Sequence, residues 1–420
     1  MQRSMESAVR RGRTLYIWQA AAEYLISILV TGSFLATLTG ALGFSDSLTG
    51  VLSSVIALGC LFQLPSIALR RTRVKRLVIA FSVLNQILFL SLYLLPLTGL
   101  PQEVKIALFV VCILSAYVLY NLVSPKKTIW LMSLVEDGQR GTFTADKEIV
   151  SLIVGMTFSY VMGAVTDHFS AAGQLTTAFG ISAAVMAALT LTNTALMAST
   201  VEKEVEQPAR QPLRQVAADV IRSRDIRRIV VVFILYKVAH YASIPFYGTY
   251  MIHELECNLR LVSALTVCSS VVRIAVSRFW GRYADRKSFS VMMEKCMALL
   301  GLAFLTAAMA VPQNGKVMFV LYYVFHGAAM GGINSALTNM VFDYVPQPRR
   351  SDSLAVCQAL SGTVGFLTTL CVSPLVAQIQ ANGNLLLGFP VYAQQVLSLF
   401  SALLAVAAIV YLRLVVMKKR

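Results

Sequence analysis

Apolar stretches of about twenty residues, each long enough as a helix to cross a hydrocarbon core, recur along nearly the whole of this chain. Twelve are read, near 16–42, 49–69, 77–97, 104–124, 144–166, 174–198, 229–252, 261–280, 291–311, 316–340, 354–378 and 389–415. A chain that is 57% hydrophobic and 13% charged cannot hide that much apolar surface in a soluble globule, because soluble domains carry roughly twice that charged fraction. Spanning strands would need about ten residues of alternating polarity, and LFVVCILSAYVLY (Leu108–Tyr120) does not alternate. The spans are expected as helices, giving an all-α polytopic membrane protein. The first run is too long for a signal-peptide core and has no cleavage site, so it is expected to stay as a helix.

A net charge of +16 would ordinarily raise nucleic acid as a partner. Placement argues otherwise. The cations fill every second loop: Arg3, Arg10, Arg11 and Arg13; Arg70, Arg71, Arg73, Lys75 and Arg76; Lys126, Lys127, Arg140 and Lys147. They continue through a central connector from Lys203 to Arg228, then at Arg282, Arg286 and Lys287, at Arg349 and Arg350, and at Lys418 to Arg420. The opposite loops hold Lys105, Arg260 and Lys316. This is the positive-inside pattern, and it predicts cytoplasmic termini and a cytoplasmic connector in the cell membrane. Anionic lipid headgroups are then the expected counter-charge, and no nucleic acid is expected as partner.

The seven cysteines lie mainly in or beside apolar runs, and the four histidines have no metal-ligand spacing, so neither a disulfide frame, a metal nor a cofactor is expected. The chain lacks the G-x-x-x-x-G-K-[ST] loop of nucleotide hydrolysis. It shows no nucleophile, metal set or paired carboxylates of an enzyme either.

The one long polar stretch, Val201–Arg228, divides the chain into six spans before and six after, giving 1–200, a connector 201–228 and 229–420. If the halves are repeats, corresponding loops should look alike. After the fourth span stands SLVEDGQRGTFTADKEIVS (Ser133–Ser151), and after the tenth NMVFDYVPQPRRSDSLAVC (Asn339–Cys357). Each has an acidic residue, a turn, a basic residue and a polar entry to the next helix. PSIALRRTRVKR (Pro65–Arg76) and SRFWGRYADRKS (Ser277–Ser288) are likewise short, basic and equivalently placed.

Gly281-Arg-Tyr-Ala-Asp285-Arg286-Lys287 resembles the loop signature of the major facilitator superfamily. So does Trp130 followed by LVEDGQRGTF (Leu134–Phe143), and the six-plus-six layout fits as well. The resemblance covers essentially the whole chain. It implies two pseudo-symmetric six-helix bundles that alternately open a central cavity to each side of the membrane, and a secondary transporter rather than an enzyme. The loop after the eighth span then reads as a cytoplasmic latch. Gly281 permits close helix approach, Asp285 accepts from helix-start amides or from an arginine, and Arg286 adds charge. Glu136 with Arg140, and Asp343 with Arg349, are the expected gate pairs. The first half departs from the signature: Arg70 stands where an acidic residue is expected, and no carboxylate occurs between Asp46 and Glu103.

Charges inside the membrane are costly and usually face a cavity. Glu23 is the only carboxylate placed deep in a span, about 15 Å beyond Arg13 at 1.5 Å per residue. Lys237 reaches a similar depth in the seventh span, and a Glu23–Lys237 pair across the cavity is expected. Arg273 either faces the same cavity or snorkels toward the headgroups. Gln19, Asn121, Tyr241, His326 and Asn334 are further candidates for solute contact, or alternatively packing groups. Small residues after His326, GAAMGG (Gly327–Gly332), favour close packing. The reading is a monomeric, proton-coupled carrier of a small organic solute, leaning to anionic, zwitterionic or amphipathic compounds. The alternative is a transporter-like receptor or assembly partner that moves nothing.

Overall fold

A computed structural model of the 420-residue chain describes residues 2–44, 59–69, 74–202, 218, 222–257, 259–386 and 389–419. The main helices are α1 (Gln2–Leu29), α2 (Gly32–Ala41), α3 (Val74–Leu94), α4 (Gln102–Met132), α5 (Arg140–Ala171) and α6 (Leu175–Ser199). There follow α7 (Arg224–Ser243), α8 (Leu259–Arg286), α9 (Phe289–Ala308), α10 (Gly315–Tyr344), α11 (Arg350–Ala381) and α12 (Ala393–Tyr411). Among the described residues, eleven segments are long and apolar enough to cross a membrane, with α1 and α2 together making the first. Of the expected second span, 49–58 lie outside the described residues, while Gly59–Ala68 forms a 3-10 helix containing Pro65. Arg70, Arg71 and Arg73, and 203–217 and 219–221 of the connector, also lie outside them.

Several helices outrun their apolar windows. In lipid an unravelled turn exposes unsatisfied backbone groups, so helix persists where side-chain composition alone suggests a loop. Lys126 and Lys127 are therefore buried residues of α4, not loop cations. Gly281 to Arg286 form the end of α8, and the turn comes only at Lys287 and Ser288, whose hydroxyl caps α9 by accepting from Val291 N at 3.2 Å. Arg224 to Arg228, read as connector, open α7, and Arg228 reaches back to Asp225 at 3.2 Å. At the start of the twelfth run, Phe389–Pro390 instead pairs antiparallel with Leu385–Leu386.

α5 and α11 end alike. Gly173 (φ +70°) and Gly383 (φ +68°) take the left-handed conformation that glycine adopts without strain. The next residue then donates back into the last turn, Gln174 N to Phe169 O at 2.8 Å and Asn384 N to Ile379 O at 2.9 Å. The first span is broken between Leu29 and Gly32, a feature the apolar pattern does not reveal. Carbonyls there are taken up by side chains: Tyr93 donates to Leu29 O at 2.5 Å, and Thr31 Oγ1 to Ser27 O at 2.7 Å.

The chain divides into two units, one of 1–136 with 146–213 and one of 137–145 with 214–420. The first is packed around Leu29, Leu38, Leu92, Phe109, Ile113 and Met186, each at most 1% exposed. In the second, α9 is sunk among its neighbours, with Met292, Met297, Leu300 and Phe304 fully buried. Where large side chains give way to Gly301 and Ala405, α9 and α12 come into contact. The buried Glu294 of α9 is held by Arg413, Nη2 at 2.6 Å and Nε at 2.8 Å, which ties down the chain just after α12.

Candidate functional site

In the first unit the buried polar side chains converge on Glu23 in α1. Lys127 of α4 donates to its Oε1, and Gln19, one helical turn earlier, donates to Oε2 at 2.8 Å. Gln19 Nε2 also lies 3.1 Å from Asn193 Oδ1 of α6, and both amides are 1% exposed. The other end of Asn193, Nδ2, is buried without a hydrogen-bond partner. Lys127 Nζ lies 5.2 Å from the centre of the Tyr120 ring, and Lys147 of α5 packs on Tyr16 in the same way at 5.0 Å. Glu23 thus has a cation within its own unit, Lys127, which the charge pattern of the sequence places in a loop. The missed signal is the apolar segment TIWLMSL (Thr128–Leu134) after the two lysines, which keeps them inside the span. Asn121 accepts from Gln63 at 3.1 Å and donates to Tyr117 O at 2.9 Å.

In the second unit aromatic and cationic side chains gather between α7 and α10. Lys237 Nζ sits 5.7 Å from the Tyr236 ring centre and 5.4 Å from that of Tyr241. His240, one turn on, is 6.4 Å from His326 of α10, centre to centre, and His326 stacks on Tyr322 at 5.3 Å. Tyr236 Oη approaches His240 Nδ1 at 3.5 Å. Arg273 of α8 acts electrostatically on both Tyr236 and His326. The glycines explain how α8 comes so near. A Cβ on Gly327 would meet Ser269 O, and one on Gly331 would lie 3.2 Å from Arg273 O. Gly327–Gly332 is thus a packing surface. Asn334, on the next turn, is exposed.

Asp285, near the end of α8, accepts from three donors at the start of α5: Gly141 N at 2.7 Å, Thr142 N at 2.8 Å and Thr142 Oγ1 at 2.6 Å. The first amides of a helix have no acceptor within it, and its positive dipole end favours a carboxylate there. Two glycines permit the approach, since a Cβ on Gly281 would stand 2.6 Å from Gly141 O. Both partners belong to the second unit, which includes 137–145. Glu136 faces Arg13 at 3.5 Å and Arg140 faces Asp137 at 2.5 Å. Arg140 also stacks on Phe342 at 4.6 Å, as does Arg350 at 5.0 Å. Arg349 is exposed, and Arg350 closes the end of α10 instead, donating to Phe342 O and Val345 O, both at 3.0 Å. Asp343 is half-buried beside Arg140 and Arg350, and Arg286 is exposed.

Among the described residues no three His, Cys, Asp or Glu side chains come together as a metal site. What the geometry offers is a half-buried ion pair, a cation-bearing aromatic cluster and a helix-end contact centred on Asp285.

The fold is shared with solute carriers of known structure. The Escherichia coli fucose:proton symporter superposes with a TM-score of 0.70 over 96% of this chain and 97% of its own, at 14% identity. The human organic anion transporter MFSD10 gives 0.68 over 96% and 99%, also at 14%. A bacterial homologue of the iron transporter ferroportin, outward-facing, gives 0.69 over 97% and 99%, again at 14%. No curated protein sequence matches the chain. The sequence model of the Major Facilitator Superfamily matches residues 17–369 and 229–419. With its apolar helices, the Asp285 contact at the end of α8 and that match across nearly its whole length, the chain belongs to the major facilitator superfamily.

Proposed function

We propose that this chain is a secondary active transporter that moves a small organic solute by alternating access, with Glu23 carrying the coupling proton. The observation behind this reading is the Glu23–Lys127 pair, set in two spanning helices and linked through Gln19 to Asn193. Carboxylates within spans commonly serve as proton relays. A proton on Glu23 removes the charge that holds Lys127, and its loss restores the pair. The two protonation states therefore favour different local arrangements, and a solute that binds one better than the other shifts the balance. The proton coupling of the similar fucose symporter supports this reading.

The cation bias of alternate loops supports a cytoplasmic position for both termini and for the Asp285 contact, in a protein that works as a monomer in the plasma membrane. In this reading Asp285 is a latch: its three hydrogen bonds favour one state and are given up in the other. The test is accumulation of solutes from a metabolite mixture by proteoliposomes, read by mass spectrometry with and without a pH gradient. At least one solute is expected to follow the gradient and to lose that response in Glu23→Gln. Equal accumulation by protein-free liposomes, or a gradient response unchanged in Glu23→Gln, contradicts the proposal.

A further inference from the structure

Two amides link Glu23 of α1 to the helix packed beside it, α6. Gln19 Nε2 donates to Glu23 Oε2 at 2.8 Å and to Asn193 Oδ1 at 3.1 Å, and Gln19 and Asn193 are both buried. An ionised carboxylate only accepts hydrogen bonds, so Gln19 has to turn its NH2 group toward it. Asn193 has to answer that group with its carbonyl oxygen. Its own NH2 group, Nδ2, is then left buried without a hydrogen-bond partner. A buried donor in that state is rare and costly. Nothing at Nδ2 fixes the Asn193 amide, so the hydrogen bond from Gln19 sets which of its ends faces α1.

A proton arriving on Glu23 upsets this order. Oε1 faces the ammonium of Lys127, which has donors only, so the proton goes to Oε2. The new O–H then points at the NH2 group of Gln19, donor against donor. The contact is restored when Gln19 rotates half a turn about its last side-chain bond and accepts through Oε1. An amide reversed in this way fills the same space, and that torsion is broad. Gln19 now shows its oxygen to Asn193, which reverses likewise and donates through Nδ2. No hydrogen bond at Nδ2 has to break first. The titratable groups about Glu23 are Lys127 and Tyr120 of α4, and Tyr16 of α1 with Lys147 of α5 packed on its ring. The helix α6 carries no titratable side chain, and Asn193 is its one amide, so a neutral group is what registers the proton there.

We propose that Gln19 and Asn193 form an amide relay that reverses when Glu23 takes up a proton, with Asn193 the positioning residue that carries the change from α1 into α6. With Glu23 ionised, Asn193 turns its oxygen to Gln19 and its NH2 group away. With Glu23 protonated, it turns the NH2 group to Gln19 and the oxygen away. The proton comes from solvent and returns to it, and the O–H bond of Glu23 is the one covalent bond made and broken. The inference rests on Glu23 as the proton carrier but is tested apart from transport.

Infrared difference spectra of the full-length purified protein in lipid bilayers, taken across a pH step, read each partner. A carboxyl C=O band that is absent from Glu23→Gln marks the protonated Glu23. With it the relay expects a side-chain amide C=O band that moves when asparagine carries an isotope label at its side-chain carbonyl, and that is lost in Asn193→Leu. In Gln19→Leu the Glu23 band is expected to remain and the Asn193 band to be lost, because the amide between them is gone. A Glu23 band without an Asn193 band in the wild type overturns the proposal, as does an Asn193 band that survives Gln19→Leu. If Gln19→Leu does not fold, an Asn193 band that survives Glu23→Gln overturns it instead. An Asn193 band that follows Glu23, in a protein whose solute accumulation ignores the pH gradient, leaves the relay standing and counts against transport. Gradient-driven accumulation that is lost in Glu23→Gln, with no Asn193 band, does the reverse.

Discussion

Replacing Asp285 by asparagine isolates the contact at the start of α5. The carboxylate accepts from Gly141 N, Thr142 N and Thr142 Oγ1 at 2.7, 2.8 and 2.6 Å. Asparagine keeps one carbonyl oxygen and turns an NH2 group toward donors, so at least one amide loses its acceptor and the charge is gone. A hydrogen bond to a charged group contributes about 1.5–3 kcal/mol, and a carboxylate at a helix start adds about 0.3–1 kcal/mol. The expected loss is about 3 kcal/mol, which corresponds to roughly a hundredfold change in an opening equilibrium. Amide hydrogen exchange reads this directly, because local opening governs exchange at Gly141 and Thr142. Asp285→Asn is expected to speed exchange at those two amides and to leave the middle of α5 near Gly155 unchanged. Unchanged rates at 141 and 142 would refute the reasoning, as would an equal rise along all of α5.

Gly281→Ala would place a Cβ 2.6 Å from Gly141 O, and overpacking of that kind costs about 1–3 kcal/mol, so the same amides should exchange faster and Tm should fall. Lys127→Ala removes the cation that holds the half-buried Glu23 and should lower Tm. Adding Glu23→Gln should recover much of that loss in a double-mutant cycle, and strict additivity of the two would argue against the pair. Arg413→Ala strips the buried Glu294 of its two closest donors and should lower Tm clearly, whereas Lys295→Ala, at 3.4 Å, should do little. Equal effects of these two changes would show that Arg413 does not hold Glu294.

The spans of this chain are written in its apolar runs because lipid demands them, and α3, α6, α9 and α10 begin or end within a few residues of those runs. The ends are less legible. Lys126 and Lys127 look like a loop because charge is read residue by residue, while α4 continues for want of any other way to satisfy its backbone. The break before Gly32 leaves no apolarity signal, since the Leu29 carbonyl is taken by Tyr93, sixty-four positions away, and that of Ser27 by the hydroxyl of Thr31. Glu23 stands out by its depth, but its partner depends on how α1 and α4 pack, which spacing within one helix cannot supply. Asp285 is expected to meet either a helix start or an arginine, and it accepts from the start of α5. Gly141 opposite Gly281 is a sequence clue to that pairing that becomes readable only once the two helix ends are side by side.

Proton movement tied to Glu23 is the center of the account. With the solute identified by accumulation, proteoliposomes loaded with a pH-sensitive dye measure it directly. Adding that solute without an imposed gradient should change the internal pH in the wild type and leave it unchanged in Glu23→Gln, while Glu23→Gln still binds the solute. A pH change of the same size in Glu23→Gln would contradict the account.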